Sequence, residues 1–167
     1  LRSVYRSRRN LGLGLRGAGL QRTFFKANDA AAMLPFKING DLIMEMVKFG
    51  SNDVANLLAA DPERVERLPF GAMMLDQQGN VMRYNHVESG ISGRSADEVM
   101  GKNFFNDVAP CAKGHAFYKN FFQAVSTGEI NTVFDYEFDY KMNPTKVRIQ
   151  MKTSDASKGI WIFIKRV

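Results

Sequence analysis

Cysteine is almost missing from this chain: Cys111 is the only one in 167 residues. A lone cysteine cannot close an internal disulfide, and one thiol with the two scattered histidines, His86 and His115, makes a poor metal site. The lack of disulfide pairs fits a reducing compartment, so a cytoplasmic location is expected. No apolar run is long enough to span a bilayer. Acid is absent from the start of the chain. Residues 1–26 hold seven basic residues (Arg2, Arg6, Arg8, Arg9, Arg16, Arg22 and Lys26) and neither Asp nor Glu. The whole chain has 23 basic and 17 acidic residues, which leaves 16 and 17 for the remainder, a net of −1. The formal charge of +6 therefore comes from the leader, and the remainder is not read as a nucleic-acid binder.

What is present divides into three parts. Residues 1–43 form a basic extension, either a targeting or membrane-surface segment or an unstructured addition; membrane contact is expected only through it. Residues 44–68 read as a small N-terminal helical cap. Ser51-Asn52-Asp53 supplies helix-start chemistry before Val54, Leu57 and Leu58, and Asp61-Pro62 begins a further short turn. From 69 to 167 the patterning is that of a core domain. Ala72–Leu75 and Val81–Tyr84 read as strands around the turn 76–80. Ser95-Ala96-Asp97-Glu98 is a capping box, and Phe117, Phe121, Ala124 and Val125 form the stripe of a longer helix stopped by Gly128. Three strands close the chain. In the first, Phe134, Tyr136, Phe138 and Tyr140 alternate with Asp135, Glu137 and Asp139. In the second, Val147, Ile149 and Met151 alternate with Lys146, Arg148, Gln150 and Lys152, so acidic and basic rows suit cross-strand pairing. In the last, Ile160, Ile162 and Ile164 alternate with Trp161 and Phe163, which makes both faces apolar. Such period-two runs argue an antiparallel meander. The order β-β-α-α-α-β-β-β resembles a PAS domain. The fold class expected is thus α+β, with a five-stranded antiparallel sheet, helices on one side and the cap.

Cys111 closes the run Gly-Lys-Asn-Phe-Phe-Asn-Asp-Val-Ala-Pro-Cys at 101–111. By itself it is either an inert buried thiol or a single attachment point. Upstream lies Tyr-Asn-His-Val-Glu-Ser-Gly-Ile-Ser-Gly-Arg at 84–94, in which Tyr84 and Glu88 would share a side if the chain turns helical. A strand-ending tyrosine is usually packing, and a loop glutamate is usually solvated. Phe-Asp-Tyr at 138–140, Pro-Thr-Lys-Val at 144–147 and the terminal Lys-Arg-Val complete an ordered set of motifs. Together they resemble the photoactive yellow protein family of blue-light receptors, from about Met44 to Val167.

The resemblance implies a covalent cofactor, 4-hydroxycinnamic acid (p-coumaric acid), attached as a thioester to Cys111. It implies that Tyr84 and a protonated Glu88 donate hydrogen bonds to the phenolate oxygen. Ser92 would bond Tyr84, Arg94 would shield the pocket, and Phe104, Val108, Tyr136, Phe138 and Met142 would line it. A phenolate in an apolar cavity is costly unless strong donors meet it, and desolvation beside an anion keeps Glu88 neutral. Trans–cis isomerisation would then draw the Glu88 proton, strand a buried carboxylate and loosen the cap. The family is sensory, so no enzymatic activity is expected. The chain would act as a monomer, or as a weak dimer, on an unknown downstream signalling protein. Ala112-Lys113-Gly114-His115 departs from the family pattern, and residues 1–43 have no counterpart in it. Two other readings stay open: a PAS ligand-binding or interaction module without chromophore, and a cysteine-dependent enzyme with His115 as base.

Overall fold

The computed structural model describes residues 30–38, 41–51, 54–114, 116–138, 144–153 and 159–167. Strands β3 (Gly71–Leu75), β4 (Val81–Tyr84), β5 (Asn131–Phe138), β6 (Thr145–Thr153) and β7 (Ile160–Arg166) form one antiparallel sheet in the order β4-β3-β7-β6-β5. Between β4 and β5 run α2 (His86–Ser92), α3 (Ala96–Val99), a π-helical turn Phe104–Val108, a 3-10 turn Pro110–Gly114 and α4 (Ala116–Thr127). The arrangement is the α+β one expected, a five-stranded antiparallel sheet with this helical segment packed on one face.

The sheet is covered on both faces because its strands are apolar on both. Along β7, Ile160, Ile162 and Ile164 join the core shared with α4 and the Phe104–Val108 turn, while Trp161 and Phe163 point into a second core under the cap. All five of these side chains are buried. Next to β7, β6 contributes Val147, Ile149 and Met151 to the first core. Its outer rows meet β5 in the register Asp135↔Arg148 and Glu137↔Lys146. The acidic and basic alternation thus becomes direct cross-strand pairing, with a two-point contact from Arg148 to the Asp135 carboxylate.

The cap differs from the helical segment expected at 44–68. It begins with a hairpin, β1 (Ala31–Ile38) and β2 (Asp41–Lys48), paired from Ala31↔Lys48 to Ile38↔Asp41. The boundary drawn between residues 43 and 44 therefore falls inside β2. Asn-Gly at 39–40, the pair most favoured in two-residue hairpin loops, is the sequence signal for this turn. The hairpin is followed by α1 (Val54–Ala60) and a 3-10 turn Pro62–Arg67, whose first amide, that of Glu63, bonds to the Asp61 side chain. Leu34, Val47, Val54, Leu58, Val65 and Leu68 pack with Phe70, Trp161 and Phe163. Phe49 meets Phe70 edge-on at 5.5 Å, and the Lys165 ammonium lies 5.4 Å from the Phe49 ring centre.

Trp161 stacks on Phe163 at 5.9 Å and joins the sheet to this cap core. Trp161→Ala should lower stability by about 3–5 kcal/mol, as large-to-small changes in closed cores do. Urea unfolding measures the loss, and limited proteolysis should locate the first new cleavages before residue 69. A loss under about 1 kcal/mol would show that the indole does not anchor the cap.

Candidate functional site

The site begins where β4 ends. Tyr84 is the last residue of the strand, Asn85 caps the next helix, and Glu88 lies in the first turn of α2. Asn85 is fully buried and uses its whole side-chain amide. Its Oδ1 accepts from the amides of Ala72 and Glu88, both at 2.9 Å. Its Nδ2 donates to the carbonyls of Val65 at 2.9 Å and Phe70 at 3.0 Å. One side chain therefore ties the cap turn, β3 and the start of α2 together. Sequence reasoning passed over Asn85, although Asn followed three residues later by Glu is a helix-start signature. At the other end of α2, Gly93 takes a left-handed conformation with φ of 72°. Arg166 donates there to the carbonyls of Gly90 and Ile91 at 3.1 and 3.2 Å.

This short, pinned helix holds Glu88 inside, 3% exposed. Its Oε2 has no hydrogen-bond partner among the described residues. Burial is the main cause that raises the Glu88 pKa to about 8, against a smaller opposing pull from the Arg166 guanidinium. The Tyr84 hydroxyl lies 2.6 Å from Ser92 Oγ. Burial, then the neighbouring Glu88 charge, drives the Tyr84 pKa well above the usual tyrosine range. Ser92 Oγ also accepts the Arg94 amide at 3.2 Å. The single hydroxyl proton of Ser92 can then go to the Tyr84 oxygen, which frees the Tyr84 proton for the cavity.

Tyr84, Glu88, Ser92, Arg94, Phe104, Val108, Ala109 and Phe138 line that cavity. The void among them is about 30 Å³, room for little more than a water. Phe104 stacks on Phe117 at 5.1 Å, and Phe117 meets Tyr136 and Phe138 at 5.9 and 6.4 Å, which makes one aromatic wall. Cys111 is half-buried in the 3-10 turn directly after Val108 and Ala109 and packs on the same core. Neither Cys111 nor Tyr136 is among the residues that line the void; both pack on the core around it. Met142 and His115 lie outside the described residues. His86 points away from the cavity, exposed, with its Nδ1 3.1 Å from Glu66 Oε2.

The arrangement gathers the Glu88 carboxyl, the Tyr84 hydroxyl and the rings of Phe104 and Phe138 around one small cavity, with the Cys111 thiol packed on the same core. An orphaned buried carboxyl beside a tyrosine hydroxyl fits a ligand that brings an electron-rich oxygen, and the thiol fits a tether. A ring-bearing group would need lining side chains to give way. Among the described residues, no group of His, Cys, Asp and Glu could hold a metal ion, and no helix is long and apolar enough to cross a membrane.

Residues 61–167 match the PAS fold family. The chain is 48% identical over 124 residues to the photoactive yellow protein of Cereibacter sphaeroides, covering 74% of this chain and all of that protein. It is 44% identical over 123 residues to the protein of the same name from Rhodobacter capsulatus, again 74% of this chain and 99% of that one. Among solved structures, the photoactive yellow protein domain of the sensor histidine kinase Ppr from Rhodospirillum centenum superposes with a TM-score of 0.63 at 35% identity. That match covers 68% of this chain and all of the domain.

The raised pKa of Glu88 sets a pH dependence in the chromophore-free protein. Between about 4.5 and about 8 the folded state keeps a proton that the unfolded state has lost, so stability falls as pH rises and levels off above that window. The slope is at most about 1.4 kcal/mol per pH unit. Urea unfolding across this range should show the decline in the unaltered protein and a flatter profile in Glu88→Gln. Identical profiles would mean that Glu88 ionises without penalty.

Proposed function

Because the chain belongs to the photoactive yellow protein family of PAS-fold blue-light photoreceptors, we propose that it senses light through a p-coumaroyl group held as a thioester on Cys111. The observation that carries this reading is the pairing of Tyr84 and Glu88, two buried donors that keep their protons at neutral pH, on the wall of one cavity. The group supplies, when bound, a visible absorption and a double bond that light isomerises. The Cys111 thiol takes the acyl group from an activated donor; its sulfur forms the new bond, and its proton leaves with the displaced group.

In the dark, Tyr84 and Glu88 donate to the phenolate oxygen, Ser92 holds the Tyr84 hydroxyl in its donating orientation, and Arg94 closes the solvent side. Phe104, Val108, Tyr136 and Phe138 exclude water from the ring. After illumination, Glu88 would be the proton source for the bound group. A carboxylate is left in a site where burial already opposes ionisation, at a cost of several kcal/mol. That is a large fraction of the roughly 5–15 kcal/mol that holds a domain folded. The route of release is the Asn85 junction, because the helix that carries the new charge is bonded through Asn85 to Val65 in the cap. Partial unfolding of the cap is the signalling state, read by a downstream signalling protein in the cytoplasm.

The direct test is a visible spectrum before and after blue light, after treatment with activated p-coumaric acid, for the unaltered protein and Cys111→Ala. The expected result is a visible band that bleaches, shifts to shorter wavelength, recovers in darkness and is absent from the variant. Absence of covalent uptake by the unaltered protein would leave a PAS interaction module. In a second measurement, Glu88→Gln should keep the colour but lose the light-induced rise in hydrogen exchange before residue 69. An undiminished rise would separate cap loosening from the Glu88 proton.

A further inference from the structure

Gly71 opens β3, a strand flanked by β4 and β7 inside the sheet. Glycine is a poor strand residue, since it loses more backbone entropy than any other and packs nothing. A left-handed conformation often requires it, but the positive-φ glycines here are Gly50, Gly79, Gly93, Gly101 and Gly128. The backbone at 71 therefore accepts an ordinary residue, and the requirement is for space. A Cβ built on Gly71 would overlap Glu88 Oε2 and stand 3.1 Å from Ile91 Cδ1 and 3.2 Å from the Ile164 carbonyl oxygen. Ile164 is the cross-strand partner of Gly71 in β7, and Glu88 and Ile91 lie one turn apart on α2. The Glu88 carboxyl thus rests on bare backbone where every other residue type would place a side chain.

We propose that Gly71 is a positioning residue: its missing side chain is the seat of the Glu88 carboxyl, and it sets where the Glu88 proton is presented to the cavity. This rests on the role of Glu88 as a proton donor given above. A methyl group at 71 must push something aside. The Ile164 carbonyl is held in the sheet, Ile91 Cδ1 need yield only a few tenths of an ångström, and the far end of the Glu88 side chain is free to swing. Alanine at 71 is therefore absorbed by movement of the carboxyl rather than by opening of the sheet. Arg166 on β7, whose charge acts on Glu88, and Tyr84 on β4, on which the Glu88 charge acts, are not among the nearest atoms that the added methyl meets.

The test compares Gly71→Ala, Glu88→Ala and the double variant after treatment with activated p-coumaric acid. A donor to a phenolate oxygen holds charge there, and its withdrawal lowers the excitation energy. The band of Gly71→Ala should move to longer wavelength, as should that of Glu88→Ala. The double variant should show no shift beyond that of Glu88→Ala, since no carboxyl remains to displace. In chromophore-free protein, the carboxyl titration of Glu88, followed by isotope-edited infrared or NMR, should fall from about 8 toward the ordinary value in Gly71→Ala. An unmoved titration overturns the proposal, and so does an equal band shift from Gly71→Ala in both backgrounds, which would mean that alanine acts through the sheet. If Gly71→Ala does not fold, recovery of folding in the double variant supports the seat and no recovery overturns it. Failure of the unaltered protein to take up chromophore counts against the photoreceptor reading alone, because the carboxyl titration still decides the place of Gly71.

Discussion

A carboxyl group sits buried with no hydrogen-bond partner for its Oε2 among the described residues, and much of the surrounding structure serves to keep it there. Glu88 lies on a helix of two turns, too short to be stable by its own hydrogen bonds. The helix persists because Asn85 fixes its first turn to β3 and the cap, and Arg166 binds its last carbonyls. Arg166 also places a positive charge near enough to favour ionisation, yet burial outweighs it and the acid stays neutral at neutral pH. The balance is informative. A salt bridge to Glu88 would stabilise the site and make it inert, whereas a neutral acid held without a partner remains able to give its proton away.

The sheet makes this local tension matter elsewhere. β3 and β7 have one face in the cavity core and the other under the cap, with Met73 and Ile162 on one side and Ala72, Trp161 and Phe163 on the other. A rigid sheet transmits little by itself. Asn85 supplies a physical connection, because its amide bonds carbonyls at the cap junction while its oxygen bonds the Glu88 amide. Displacement of the first turn of α2 must stretch bonds on the cap side. Contiguity of this kind permits coupling; its size is a separate, measurable quantity.

Local chemistry made much of the fold legible in the sequence. The acid and base rows of β5 and β6 appear as Asp135↔Arg148 and Glu137↔Lys146, and the capping box at Ser95 forms as its spacing requires. The two apolar faces read along β7 are both covered, one in the core shared with α4 and the other in the core under the cap. The hairpin at 31–48 is hidden in the sequence because its apolar residues do not alternate with burial: Leu34 and Val47 are buried, while Met33, Leu42, Ile43, Met44 and Met46 are exposed. Asn85 and Gly71 escaped for a different reason. Their importance lies in what the fold brings to them, Val65 from the cap in one case and Glu88 from α2 in the other. No local pattern carries that information. Tyr84, Glu88, Ser92 and Arg94, all within the motif at 84–94, line one cavity.

The character of that wall also narrows the ligand chemistry. Ser92 Oγ accepts the Arg94 amide and shares a hydrogen bond with the Tyr84 hydroxyl in which either oxygen can donate; when Ser92 donates, the Tyr84 proton is left for the cavity. Both terminal groups hold their protons: Tyr84 because burial and the neighbouring acid raise its pKa, Glu88 because it is desolvated. Two neutral donors select an oxygen with negative charge and gain little from an acyl chain or a cation. The same donors are poor hosts for a fully ionised carboxylate in a void of about 30 Å³, because a localised charge needs more hydration than two bonds replace. A phenolate, whose charge spreads into its ring, asks less of the donors, although its ring fits beside Phe104 and Phe138 only where lining side chains give way. The polarity of the hydrogen bonds thus favours this ligand class.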